Sequence, residues 1–338
     1  MKAIVYKGPE KLYLENIEKP RINKGEALIK VSYAGICGTD VHIFEGKYRT
    51  VPPMVIGHEF SGEIVEIKCD RKEFFKVGDK VVSRPTIICG NCFACKNGYF
   101  NVCESLKMIG IDFDGAFAEY VKVPINTLYK IPKRISLKQA SLIEPLAVAV
   151  HSIRNSDLRV GDDVVIFGAG PIGMLLGLVA KISGASSVFI TDINDFRVKK
   201  AKSLGLDSLN IKGKNFLKYI QEKTLDKMAD ISFDAAGVDA TAEIITDATR
   251  IKGQIVIVST YKEVPRFNLF SILFKEQKVI GTRIYLDEDY IKALALLKKH
   301  PEIEKIVTNI ISLKEVQNYI RAIINNEDVL KILIDVNF

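Results

Sequence analysis

The chain has no tryptophan, four histidines, and no cysteine beyond position 103. It also has no run of five or more basic residues, although Lys plus Arg total 48 against 41 Asp plus Glu, a formal net charge of +7. A basic excess spread this evenly builds no phosphate-binding stripe, so neither nucleic acid nor a membrane is expected as a partner. There is no uninterrupted apolar run long enough for a bilayer. The longest, Val164 to Ala180, is broken by Gly168, Gly170, Pro171, Gly173 and Gly177, and it reads as a buried strand, a turn and a helix. The opening Met1-Lys2-Ala3-Ile4-Val5-Tyr6 lacks the apolar core and small-residue cleavage site of a signal peptide, so a cytoplasmic location is expected. Repeats and low-complexity tracts are missing as well.

What is present is a chain of 338 residues, 48% hydrophobic and 26% charged, enough for about two domains with a substantial core. Up to about Pro132, short runs rich in Val, Ile and Tyr are broken by Gly and Pro, as in Glu26–Val31 and Ala118–Val123. They predict an antiparallel, partly barrel-like domain. From Ser141 to Gly281, helical segments alternate with apolar runs at Val164–Phe167, Ser187–Thr191, Ile231–Asp234, Gln254–Val258 and Val279–Gly281, which predicts a parallel sheet with crossover helices. After Tyr285 come a helix, a strand at Ile306–Ile311, a helix opened by Ser312 with Glu315 three residues on, and a strand at Leu330–Val336.

All six cysteines lie in the first third of the chain, and in a reducing compartment such clustering favours metal over disulfides. Cys89, Cys92, Cys95 and Cys103 share a polar loop with Gly90, Asn91, Lys96, Asn97 and Gly98. Four soft ligands this close can complete a tetrahedral zinc shell with no open position, the mark of a structural site.

A second motif, Gly168-Ala169-Gly170-Pro171-Ile172-Gly173, follows the strand-like Val164–Phe167 and opens the helix-like Met174–Ala180. Such a loop lets the backbone approach a pyrophosphate, which then sits on a helix N-terminus. Asp192, at the end of the next apolar run, suits the hydroxyls of an adenosine ribose and repels a 2′-phosphate, so NAD is expected over NADP. Asp192 also admits a plain reading as a turn residue.

A third set is dispersed: Cys37-Gly38-Thr39-Asp40-Val41-His42, Gly57-His58-Glu59 and Glu144-Pro145. Cys37, His58 and a carboxylate supply three protein ligands and leave one position open, as a catalytic zinc requires. Asp40 is placed to orient His58. Ser141 and Glu144 also have the spacing of a capping box.

Taken together, these residues resemble the zinc-dependent medium-chain dehydrogenase/reductase superfamily over essentially the whole chain. The resemblance implies an α/β protein: a GroES-like, mostly β catalytic domain in residues 1–145, a Rossmann doubly wound parallel sheet in 146–283, and completion of the catalytic domain by 284–338. Leu142-Ile143-Glu144-Pro145-Leu146 is similar to the sorbitol (polyol) dehydrogenase branch, in which zinc has Cys, His and Glu ligands. Carried over, Cys37, His58 and Glu59 are metal-ligand candidates, and Glu144 binds the metal directly or through its water. Thr39 and His42 form a proton relay. Arg197 packs near the adenine, and Val258, Ser259 and Thr260 reach the nicotinamide half. Arg283 and Tyr285 resemble a polyol-contacting segment, and Ile43 stands where the mammalian-type sorbitol enzymes carry a tyrosine near substrate.

The implied activity is zinc-dependent, NAD-linked, reversible oxidation of a secondary alcohol in a polyol, sugar acid or related polyhydroxy compound, by a homodimer or homotetramer with two zinc ions per chain. Residues 38–43 and 191–197 are also similar to L-threonine 3-dehydrogenase, the competing activity. The reading from another class is a non-catalytic NAD-binding protein, which has no physical need of Cys37, Thr39, His42, His58, Glu59 and Glu144 together.

Overall fold

A computed structural model describes residues 1–69, 74–213 and 215–338. It divides into two compact units, one built from Met1–Glu144 and Leu286–Phe338, the other from Pro145–Tyr285. No helix among the described residues is long and apolar enough to cross a membrane.

The first unit is mostly β. Its largest sheet centres on the long strand Glu26–Gly35, which pairs antiparallel with Glu59–Lys68, with Tyr120–Pro124 and with Lys331–Asp335. Both faces of the strand are covered over Ala27, Leu28 and Ile29, all fully buried, as is Val31, and only Lys30 between them is exposed. Lys331–Asp335 runs between Glu26–Gly35 and Val307–Ile311, and its pairing with the latter is parallel, so this sheet is not wholly antiparallel.

The returning segment enters through the helix Asp287–Lys299. There Tyr290 stacks on Tyr129 with ring centroids 4.7 Å apart and donates its hydroxyl to the Ser83 carbonyl at 3.1 Å. Arg84 meets Asp287 at 2.9 Å. An aromatic stack plus a buried, satisfied hydroxyl joins the two halves of the unit more firmly than apolar contact alone.

Ser141 and Glu144 stand where the helix Leu137–Ala140 gives way to the helix Ile143–Asn155. Ser141 ends the short helix Leu137–Ala140, and its hydroxyl donates back to the Lys138 carbonyl at 2.8 Å. A capping box sits one turn earlier, where Ser136 Oγ accepts from the Gln139 N–H and Gln139 Oε1 accepts from the Ser136 N–H. Glu144 lies in the first turn of the helix Ile143–Asn155.

The second unit is a six-stranded parallel sheet in the order Asp207–Asn210, Ser187–Asp192, Asp163–Phe167, Ala229–Asp234, Thr249–Ile257, Lys278–Gly281. Numbered along the chain this is 3-2-1-4-5-6, the order of a doubly wound dinucleotide-binding sheet. The central strands read as near-continuous apolar runs because both faces are covered: Val164, Val165, Ile166, Phe167 and Phe233 are fully buried. Five strands match the apolar runs of the sequence. The sixth, Asp207-Ser208-Leu209-Asn210, does not, because an edge strand of this sheet can be polar and still pair along one side.

Candidate metal and cofactor sites

Cys37 caps the helix Gly38–Phe44, and Asp40 in its first turn reaches back to accept the Cys37 N–H on Oδ2 at 2.8 Å. His58 and Glu59 follow Gly57, whose φ of +100° and contact with the Phe117 ring leave no room for a side chain. These loops bring ligand atoms of Cys37, His58 and Glu59 within 4.8 Å of one another. Glu144 is not in that group, but it lies near enough to act on His58 electrostatically.

The group is nearly closed to water: Asp40 is 0% exposed, Glu59 1% and His58 3%. Burial pushes the Asp40 carboxyl up to about 6. Burial opposes a charge on His58 too, yet Asp40, Cys37 and Glu144 outweigh it and hold the imidazole well above its usual value. Anionic donors crowded around a buried imidazole are an arrangement that a bound cation resolves. His58 Nδ1 and Asp40 Oδ1 are both buried without a hydrogen-bond partner and lie 3.7 Å apart, so a small ring rotation lets Asp40 orient the imidazole while its other nitrogen faces the metal. The donor set, soft sulfur with nitrogen and oxygen, fits zinc.

Two neighbours of this group escaped the sequence reading. Lys331, 1% exposed, donates to the Ile36 carbonyl at 3.0 Å and is ion-paired with Glu59 Oε2, which leaves Oε1 as the oxygen for a metal. Its signal was a lone charge inside the apolar run Leu330–Ile334. Tyr290 is buried beside Glu144, and burial first, then that carboxylate, keeps its phenol well above its usual value.

Thr39 and His42 lie on the Cys37-capped helix. Thr39 Oγ1 is 3.8 Å from Cys37 Sγ, and His42, a third exposed, has Nδ1 3.6 Å from Glu45. Ile43 is 1% exposed and belongs to the core of its unit.

The four-cysteine loop is assembled. Sulfur separations are 3.5 Å for Cys89–Cys103, 3.9 Å for Cys89–Cys95 and 4.0 Å for Cys92–Cys103. These bracket the edge of about 3.8 Å expected for a tetrahedron of Zn–S bonds, far from a disulfide's bond length. The N–H groups of Cys95 and Cys89 point at the sulfurs of Cys92 and Cys103, each at 3.4 Å. Such donors help to pull the Cys92 thiol down to about 6, whereas burial and the neighbouring sulfurs push Cys95 up to about 12.

In the second unit the glycine loop divides its labour. Gly168 turns the chain at φ +96°, and a Cβ on Gly173 would lie 1.8 Å from the Gly168 carbonyl oxygen, so the third glycine permits helix and strand to pack. Nothing lies within 4 Å of a Cβ on Gly170, which leaves that face for a ligand backbone to approach. Pro171 and Ile172 open the helix Pro171–Ile182.

Asp192 ties its own turn to the glycine-rich loop. Oδ1 accepts the Ile193 and Asn194 N–H groups at 2.8 and 2.9 Å, as a turn residue does, and Oδ2 accepts the glycine-loop N–H of Ala169 at 2.9 Å, with Arg197 at 3.8 Å. Val258, Ser259 and Thr260 follow the fifth strand of this sheet, with the Val258 and Ser259 N–H groups both 3.0 Å from the Asp234 carbonyl. In the segment that ends this unit, Arg283 is exposed and Tyr285 buried.

With this geometry in view, comparison with known proteins is informative. The alcohol dehydrogenase GroES-like domain matches residues 23–133, and the zinc-binding dehydrogenase domain matches residues 171–299. The chain is 36% identical to the 2-dehydro-3-deoxy-L-galactonate 5-dehydrogenase of Pseudoalteromonas atlantica, over 93% of this chain and 92% of that one. It is 35% identical to the sorbitol dehydrogenase of Halalkalibacterium halodurans, over 99% of both, and 33% identical to an Escherichia coli L-threonine 3-dehydrogenase, over 94% of both. Among solved structures, 2R,3R-butanediol dehydrogenase from Bacillus subtilis superposes with a TM-score of 0.91 at 31% identity, covering 99% of each chain. The chain belongs to the zinc-dependent medium-chain dehydrogenase/reductase superfamily and is an oxidoreductase acting on CH–OH groups.

Proposed function

We propose that the chain reversibly oxidises a secondary alcohol of a polyol, sugar acid or related polyhydroxy compound to a ketone, with NAD and two zinc ions. The observation that carries this is the Cys37, His58 and Glu59 group: three donors of zinc-binding type, His58 and Glu59 buried and Cys37 half-buried, one short of a closed shell. Relatives named for a sugar acid and for sorbitol support the substrate class.

When bound, zinc supplies Lewis-acid polarisation of the substrate hydroxyl, and NAD supplies the hydride acceptor. The chain's own residues do the rest. Cys37, His58 and Glu59 hold the metal, Asp40 and Lys331 fix His58 and Glu59, and Glu144 stands beside them as a further ligand or as the partner of a metal-bound water. Thr39 and His42 carry the proton outward, His42 being a third exposed. The four-cysteine loop holds the structural ion. Gly168, Gly170, Pro171, Ile172 and Gly173 receive the pyrophosphate, Asp192 the adenosine ribose, and Arg197 the adenine side. Val258, Ser259 and Thr260 face the nicotinamide half, and Arg283 and Tyr285 bear on substrate preference.

The test is NADH formation by zinc-replete protein with a panel of polyols, inositols, aldonic acids, 2,3-butanediol and L-threonine. Preference for a polyhydroxy compound is expected; turnover confined to L-threonine would replace that substrate by the amino alcohol, and no turnover with two bound zinc ions would leave an NAD-binding protein without catalysis. For the cofactor, Asp192→Asn removes the charge while keeping a side-chain carbonyl for the turn. The ratio of kcat/KM for NAD over NADP is expected to fall by about tenfold, the worth of one charge-assisted hydrogen bond. An unchanged ratio refutes the ribose role.

A self-associating chain in the cytoplasm completes the reading. Cysteines clustered as metal-binding thiols support a reducing compartment. For association, the helix Leu269–Lys275 presents Leu269, Phe270, Leu273 and Phe274 each about 70% exposed, just before the edge strand Lys278–Gly281. An apolar face beside an open strand edge suits a second copy. Light scattering should give a dimer or tetramer that Phe270→Glu with Phe274→Glu reduces to monomers; a monomeric parent would refute it.

A further inference from the structure

Asp234 ends the fourth strand of the parallel sheet, Ala229–Asp234, fully buried, and no sequence motif drew attention to it. Its contacts reach three segments. Oδ1 accepts the N–H groups of Ala236 and Gly237 at 2.9 and 3.1 Å and the Thr241 hydroxyl at 3.3 Å, which fixes the turn after its own strand and the start of the helix Asp239–Ala248. Oδ2 accepts the Tyr261 hydroxyl, and the Asp234 backbone carbonyl accepts the Val258 and Ser259 N–H groups, so the turn after the fifth strand is tied to the same residue.

The two turns touch. Gly237 has φ +66°, and a Cβ there would lie 2.9 Å from Ser259 Oγ and 3.0 Å from the Thr260 carbonyl oxygen. The assembly also abuts the glycine-rich loop, since the Ala235 N–H donates to the Phe167 carbonyl at 2.9 Å and a Cβ on Gly168 would meet the Ala236 nitrogen at 3.0 Å.

In a doubly wound sheet of order 3-2-1-4-5-6, each half binds one mononucleotide at the carboxyl ends of its strands, and the switch point lies between strands 1 and 4. The glycine loop and Asp192 belong to the first half. The turns held by Asp234 therefore form the floor of the second, on the far side of the switch point from the adenosine.

We infer that Asp234, together with Tyr261, is a positioning residue for the nicotinamide half of the cofactor, locking the turn at Ala236–Gly237 to the turn at Val258–Thr260. This rests on the NAD reading given above. A carboxylate suits the task because it accepts several hydrogen bonds at once and donates none, and bonds to a buried ionised acceptor are strong and directional. Burial, and then the Asp234 carboxylate, hold the Tyr261 phenol above its usual value, so it stays a donor over any working pH. Tyr261 is the half of the clamp whose loss leaves the turn at Ala236–Gly237 still bonded to Asp234.

The experiment compares binding of NADH with binding of AMP, which carries the adenine half alone, by calorimetry on the intact chain with and without Tyr261→Phe or Asp234→Asn. Each variant should weaken NADH by about tenfold and leave AMP within about twofold, with KM for NAD raised more than kcat is lowered. The double variant should be little worse than the worse single one, because the two residues act as one unit. Equal loss for both ligands would reduce the pair to a structural role, and unchanged NADH binding would remove it altogether. Where Asp234→Asn lowers the yield of folded protein, Tyr261→Phe alone decides. A parent chain that binds neither ligand would overturn the NAD reading itself, an outcome separate from the failure of the clamp.

Discussion

Replacing His58 by alanine should reduce turnover by about a thousandfold, some 4 kcal/mol of lost transition-state stabilisation, while the fold survives. The imidazole is the one nitrogen donor in a group otherwise made of a sulfur and an oxygen donor, and without it two ligands remain where at least three are needed. Metal analysis should fall from two zinc ions per chain to one, because the cysteine loop shares no residue with this group. Survival of the fold is expected because His58 Nδ1 already lacks a hydrogen-bond partner, so the substitution breaks no bond on that side. Near-parental turnover in zinc-replete buffer would show that the group is not catalytic.

The second large effect concerns stability. Cys103, 2% exposed, has its sulfur 3.5 Å from that of Cys89 and 4.0 Å from that of Cys92, and it accepts the Cys89 N–H. Cys103→Ser should release the structural zinc and leave the loop from Cys89 to Cys103 without the ion that organises it. Around that ion there is little apolar core to take over, since Phe93 and Tyr99 are exposed and the helix Phe93–Lys96 has a single turn. Tm should fall by about 10 °C, the equivalent of roughly 3 kcal/mol for a unit of this size. The remaining zinc should stay with Cys37, His58 and Glu59. A variant with two zinc ions and an unchanged Tm would show that the loop does not hold metal.

Much of this was legible in the sequence because the responsible signals are local. Buried parallel strands announce themselves as apolar runs, a glycine-rich turn must precede its helix, and four cysteines in one loop need no tertiary information to meet. Signals that depend on pairing across the chain were not legible. Asp207–Asn210 is a strand only because Ser187–Asp192 lies beside it, and Lys331 matters only because the last strand delivers it to a carboxylate 272 positions away. Asp234 is similar: from the sequence it closes an apolar run, and only its contacts with Ala236, Gly237, Thr241 and Tyr261 reveal a junction.

The first unit is discontinuous, and that bears on the order in which a nascent chain can mature. Its sheet is joined by Lys331–Asp335, laid between Glu26–Gly35 and Val307–Ile311 and translated after the whole of the second unit. The Pro145–Tyr285 unit is contiguous and can form as soon as it has emerged, whereas the portion translated earliest must wait. Glu59 then spends most of translation without the ammonium that pairs with it, and its oxygens become ordered for a metal only when the final strand docks. Zinc acquisition at Cys37, His58 and Glu59 should accordingly follow the arrival of Lys331, while the cysteine loop, whose ligands lie close together in the chain, can load earlier in synthesis.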